Sequence, residues 1–87
     1  MQKFDYTIKD EIGIHARPAG LLVKTAAKFA SEITLTNNKN KKSADAKKLF
    51  SVMGLGVKSG DTVTVCAEGE DENEAAKGMK EFFETNL

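Results

Sequence analysis

The sequence predicts an α+β domain in two layers, with helices laid over one face of a four-stranded, largely antiparallel sheet. Three observations lead there. Several short stretches alternate apolar and polar residues with period two, as a strand with one buried face requires. Two longer stretches repeat their apolar residues every three or four positions and so form helical stripes. The stretches follow one another in the order β-α-β-β-α-β-α, and strands that alternate so cleanly need only one covered face, so a single helical layer completes the structure. The 87 residues are enough for one small domain, 1–87, with a single core, and leave no room for a separate cofactor domain.

In the first strand, Phe4, Tyr6 and Ile8 alternate with Lys3, Asp5, Thr7 and Lys9. Asp10 to Ile14 make a loop in which Gly13 allows a sharp turn. The first helix is expected from Ala16 to about Ala30, with Ala19, Leu22, Val23, Ala26 and Phe29 as its stripe. Pro18 falls in the first turn, where helix N–H groups have no intrahelical partner. Glu32 to Thr36 alternates again with Ile33 and Leu35 inward, Asn37 to Asn40 make a polar turn suited to a hairpin, and a short third strand follows over Lys41 to Ala44. Ala46, Leu49, Phe50 and Met53 share one face of a second helix, Ala46 to Met53, with Asp45 placed to cap it and Gly54 and Gly56 to end it. The last strand is Thr62 to Ala67, with Val63, Val65 and Ala67 on one face and Cys66 on the other. Asp71 and Glu74 stand at capping-box spacing before Ala75, Ala76, Met79, Phe82 and Phe83, the stripe of the closing helix.

Charge and composition exclude several functions. Thirteen basic residues balance thirteen acidic ones, so no net field favours nucleic acid or an anionic membrane. No apolar run approaches the length of a membrane span or a signal-peptide core, and the single Cys66 cannot make an internal disulfide, which points to the cytoplasm. With one histidine and one cysteine there is no zinc set, and the carboxylates Glu68 to Glu74 lack calcium-loop spacing, so neither metal nor cofactor is expected. Gly54, Gly56 and Gly60 do not match a dinucleotide-binding spacing. Lys39, Lys41, Lys42, Lys47 and Lys48 form a basic run that makes a small nucleic-acid-binding domain the rival reading, but no aromatic platform is interleaved with them.

The functional signal is the stretch Gly13 to Gly20, GIHARPAG, which sets the only histidine and the only proline at the mouth of a helix. His15 near the N-cap would have unpaired N–H groups and the positive end of the helix dipole beside its imidazole, and Arg17 adds a planar fork of donors. A lone histidine there is ordinarily just a cap. Together with an arginine and a free helix N-terminus it is competent for phosphoryl transfer, since a neutral imidazole is nucleophilic near neutral pH and its phosphoramidate keeps a good leaving group.

GIHARPAG, the element order, LFSVMGLGV and the strand DTVTVCAEGEDE resemble the HPr family over the whole chain. These are the histidine-containing phosphocarriers of the bacterial phosphoenolpyruvate-dependent sugar phosphotransferase system. The resemblance implies an open-faced sandwich with sheet order 1-4-2-3. It also implies that His15 accepts a phosphoryl group on Nδ1 from phospho-enzyme I and passes it to IIA domains of sugar permeases. Arg17 would be the active-site arginine, with the N–H groups of Ala16 and Arg17 near the phosphoryl group. Partners would dock on the first two helices, at Leu21, Lys24 and Lys28 and at Lys47, Lys48, Leu49 and Phe50. Such a protein is a monomeric carrier and not by itself a turnover enzyme; a specialised-branch carrier or an HPr-like regulator is the neighbouring reading. One departure stands out. Many members carry a regulatory serine where this chain has Lys48, which removes the target of HPr kinase, and Ser43 and Ser51 lie out of register. The region between the second strand and second helix is also somewhat longer than is common in the family.

Overall fold

In the computed structural model, which describes residues 1–87, the alternating stretches lie side by side in one sheet. Its strands β1 (Gln2–Thr7), β2 (Glu32–Asn37), β3 (Lys42–Asp45) and β4 (Thr62–Glu68) run in the order β1-β4-β2-β3, every neighbouring pair antiparallel. The register keeps the apolar set on one face: Phe4 lies opposite Val65, Tyr6 opposite Val63, and Leu35 opposite both Val65 and Ala44. That face is covered by α1 (Ala16–Ala26), α2 (Leu49–Met53) and α3 (Glu72–Asn86). Twenty buried residues form the core between the layers. At its centre the Phe83 ring meets Phe4, Tyr6 and Phe82 edge-on, with centroids 5.5–6.1 Å apart. The other sheet face is open and carries hydroxyl pairs such as Thr7 with Thr62 and Thr36 with Ser43. No helix is long and apolar enough to cross a membrane.

The order β-α-β-β-α-β-α and the sheet order agree with expectation; four local expectations do not. Helix α1 stops at Ala26, and Phe29 packs against the core from the loop beyond it, where a Cβ at Gly78 would strike its ring at 2.6 Å. Strand β3 is shifted by one residue and takes in Asp45, whose Oδ1 accepts the Lys47 N–H at 2.9 Å in a turn. Helix α2 therefore begins later, with Lys48 and not Asp45 at its N-cap, and its buried residue is Val52 while Leu49, Phe50 and Met53 point out. Asp71 is the N-cap residue of α3, but its carboxylate does not complete a capping box with Glu74. It accepts instead from the Ala30 N–H at 2.8 Å and from both the N–H and the hydroxyl of buried Ser31.

This carboxylate ties the α1–β2 loop to the start of α3. The Ser31 hydroxyl first and the Ala30 N–H next hold the Asp71 carboxyl below its ordinary value of 3.8. A carboxyl whose folded value is depressed contributes stability above its ordinary value and loses it as pH falls through the folded one. Asp71→Ala is accordingly expected to lower Tm by a few degrees at pH 7, and the gap to the wild type should close as pH falls below 3.8. Thermal unfolding followed by circular dichroism across pH 2–7 checks this; a gap that stays constant down the acid limb would remove Asp71 as the tie.

The polar turn after β2 contains a second unanticipated tie. Asn37 is fully buried at the strand end, where its amide donates to the Leu55 carbonyl at 3.0 Å and its Oδ1 accepts the Lys39 N–H at 3.1 Å. Asn40 donates to the same carbonyl at 3.1 Å, so the turn holds the segment that follows α2. Lys41 closes the turn with φ of 62°.

Candidate functional site

Four segments meet at the end of the sheet where β1 hands over to α1. The Ile8 N–H donates to the Asp61 carbonyl at 2.9 Å, and the Lys9 and Asp10 N–H groups donate to the Leu87 oxygen at 2.6 and 2.9 Å. The chain then turns through Gly13, whose N–H donates to the Asp10 carbonyl, and Ile14 donates to the Val57 carbonyl at 3.1 Å. Gly13 has φ of 88° and lies so close to the following loop that a Cβ would stand 2.4 Å from the Val57 oxygen. His15 emerges from this frame in an extended conformation as the N-cap of α1.

As N-cap, His15 accepts the Ala19 N–H on its main-chain oxygen at 2.9 Å, but its ring makes no capping bond and its side chain is 36% exposed. The ring is thus free for chemistry. Ala16 and Arg17 occupy the first helical positions, where N–H groups have no intrahelical acceptor, and Pro18 at the third brings no N–H at all. No acidic residue occupies that turn, so the positive end of the helix is not neutralised from within. His15, Arg17, Pro18 and Leu21 line a surface depression of about 250 Å³ with Asp10 and Asn86. Arg17 is exposed and has no carboxylate within ion-pair distance, which leaves its donors for an anion.

Sequence reasoning brought His15, Ala16 and Arg17 together and missed Asp10 and Asn86. Asp10 heads a turn in which its Oδ1 accepts the Ile12 N–H at 2.9 Å, a pattern readable in D-E-I-G. Asn86 arrives from the far end of the chain, and nothing local signals it.

The residues expected to meet partners lie on or beside α1 and α2, which pack on each other. Leu21 and Lys24 are exposed along α1 and Lys28 in the turn beyond it, as are Lys48 at the N-cap of α2 and Leu49 and Phe50 within that helix, with Phe50 at 85%. Lys47 differs from the rest: its ammonium donates to the Phe29 carbonyl at 2.7 Å and is half-buried. Ile12 is a further exposed apolar side chain close to the site in sequence, at 66%. The lysine run is divided among the β2–β3 turn, β3 and the start of α2, and Cys66 is half-buried in the middle of β4.

A family model described as the phosphorylation site of the HPr component of the phosphotransferase system matches residues 2–85. The chain is 41% identical over 86 residues to the phosphocarrier protein HPr of Mycoplasma genitalium, covering 99% of this chain and 97% of that protein. It is 40% identical to the phosphocarrier protein HPr of Mycoplasma capricolum, covering 93% and 89%. Among solved structures it is similar to HPr-C-His of Thermoanaerobacter tengcongensis, with a TM-score of 0.90, 42% identity, and 98% and 93% of the two chains covered.

Proposed function

The chain belongs to the HPr family and is a phosphocarrier of the phosphotransferase system, and from that premise we propose that His15 carries the phosphoryl group, on Nδ1. What carries the reading is a half-exposed imidazole at a helix N-cap that makes no capping bond and shares its depression with Arg17. The chemistry follows from position. In-line transfer needs a nucleophile held in place and donors for three oxygens, and positioning plus charge neutralisation supplies most of the catalysis. The Ala16 and Arg17 N–H groups and the Arg17 fork provide those donors.

The whole chain acts as one module, monomeric and cytoplasmic, and holds only the acceptor half of the reaction; the remaining groups come from the partner. Enzyme I supplies the phosphoryl group and IIA domains of sugar permeases take it. Both would seat on Leu21, Leu49 and Phe50, with Lys24, Lys28 and Lys48 meeting acidic partner residues around that apolar centre. Lys47 acts from beneath by fixing the Phe29 carbonyl. Lys48 offers no hydroxyl to a serine kinase at that position.

Incubation with phosphoenolpyruvate, magnesium and enzyme I is expected to add one acid-labile phosphoryl group, read by intact mass and located on the peptide containing His15. A folded protein that gains nothing from several enzymes I would overturn the assignment. Arg17→Ala should slow uptake about tenfold to a hundredfold with Tm unchanged, because its side chain is exposed and unpaired. Uptake at the wild-type rate would take Arg17 out of the phosphoryl site.

A further inference from the structure

We infer that Asp10 is a positioning residue for His15: its carboxylate fixes the imidazole as the Nε2–H tautomer and serves as the counterion when Nδ1 is phosphorylated. The inference rests on His15 as the carrier and adds what sets its ring. Asp10 Oδ1 lies 4.0 Å from His15 Nε2, the one ion-pair contact the ring makes. That is about 1 Å beyond hydrogen-bond length, close enough for the charge to act directly on the ring.

The carboxylate is itself held in place. Its Oδ1 accepts the Ile12 N–H at 2.9 Å, the Asp10 carbonyl accepts the Gly13 N–H at 3.1 Å, and the Asp10 N–H donates to the Leu87 oxygen. The side chain is 31% exposed, and four further residues reach the same depression: Arg17 from α1 as the opposing charge, Pro18 and Leu21 as apolar walls, and neutral Asn86 from α3. Asn86 has its amide engaged with the Phe82 carbonyl. A neutral imidazole carries one N–H, and the nitrogen nearest an anion is the one that keeps it. With the proton on Nε2, the Nδ1 lone pair is free to attack.

The step balances without moving that proton. The bond between phosphorus and the donor breaks, its electron pair staying on the donor, while the Nδ1 lone pair forms the new N–P bond. The ring then carries a positive charge shared with Nε2–H, and Asp10 faces it. When the group moves on, the pair returns to Nδ1. By keeping the proton on Nε2 the carboxylate lets the ring depart as neutral imidazole, a far better leaving group than imidazolate, and it repels the phosphoryl oxygens that Arg17 attracts. Asp10 therefore keeps the group transferable.

Asp10→Asn separates this role from a structural one, because the amide oxygen still accepts the Ile12 N–H while the charge is gone. Asp10→Ala loses both. Two readings apply to wild type and Asp10→Asn, with unchanged Tm as the check on folding. In the unphosphorylated protein, long-range ¹⁵N–¹H spectra of His15 taken with the ring neutral should show its Nδ1–H population rising about threefold, the size a partly exposed charge contact supports. In protein phosphorylated and then freed of donor, the phosphohistidine at pH 7 should hydrolyse about threefold more slowly in Asp10→Asn. Hydrolysis needs no partner, so altered docking cannot move it. An unchanged tautomer ratio overturns the positioning role, and an unchanged half-life overturns the counterion role. If neither protein takes up a phosphoryl group, His15 as carrier fails, and the tautomer spectra still decide whether Asp10 sets the ring.

Discussion

His15→Ala is expected to take up no acid-labile phosphoryl group from phospho-enzyme I, a loss of roughly a thousandfold or more in rate, while folding as the wild type does. The chemical half follows from there being one histidine in the chain. Arg17 and the helix N-terminus can hold phosphoryl oxygens, but neither supplies a lone pair to form a bond to phosphorus. The structural half follows from the geometry. His15 caps α1 through its main-chain oxygen, which alanine also has, and its ring makes no capping bond and is partly exposed. Truncation should therefore cost no more than about 1 kcal/mol of stability. Uptake and Tm measured on the same samples separate the two halves. A variant that is folded and still gains an acid-labile phosphoryl group would show that the chemistry lies elsewhere.

That the placement of the candidate site could be read from sequence is a consequence of its being local. His15 as cap, the N–H groups of Ala16 and Arg17 and the prolyl first turn all belong to one helical entry, and cap chemistry is written in neighbouring residues. The strands were legible for a similar reason, since period two survives wherever one sheet face is buried. Helix α2 was legible in place and in its end at Met53, but not in its start or its buried face: five residues are too few to show a helical period, and its exposed Leu49, Phe50 and Met53 make a solvent-facing apolar surface look like a core face. Asp45 misled as a cap, and Asp71, which does stand at the N-cap of α3, misled in where its carboxylate bonds. One is drawn into β3 by pairing with Thr34, and the other serves amides of Ala30 and Ser31, which are distant in sequence. Phe29 continues the spacing of α1 but is held by the groove at Gly78, a contact between segments that no local pattern records. Asp10 is the instructive case inside the site. It lies five residues before His15, yet its reach to the ring depends on a turn that Val57, Asp61 and Leu87 hold from elsewhere in the chain.

Gly13→Ala is expected to remove about 2–3 kcal/mol of unfolding free energy, a large share of the total for a domain of this size, and to lower Tm by roughly 10–20 °C. Two costs combine. At φ of 88° any residue with a Cβ is strained, by about 1–2 kcal/mol. The second cost is steric, because the added carbon would sit 2.4 Å from the Val57 oxygen and 2.6 Å from the Lys58 Cα, which are backbone atoms and cannot rotate away. Relief requires the two loops to part, and parting breaks the bond from the Ile14 N–H to the Val57 carbonyl, about another 1 kcal/mol. Gly60 provides the control. It has the same φ of 88° with nothing within 4 Å of where a Cβ would stand, so Gly60→Ala should show the strain without the collision. Denaturant unfolding of the two variants reads the difference directly, and equal losses would mean that the close approach at Gly13 does not fix the loop. If it does, phosphoryl uptake should also fall in Gly13→Ala at temperatures where the protein is still folded. His15 lies two residues on, and the same contact that sets the loop aims its ring beside Asp10 and Arg17.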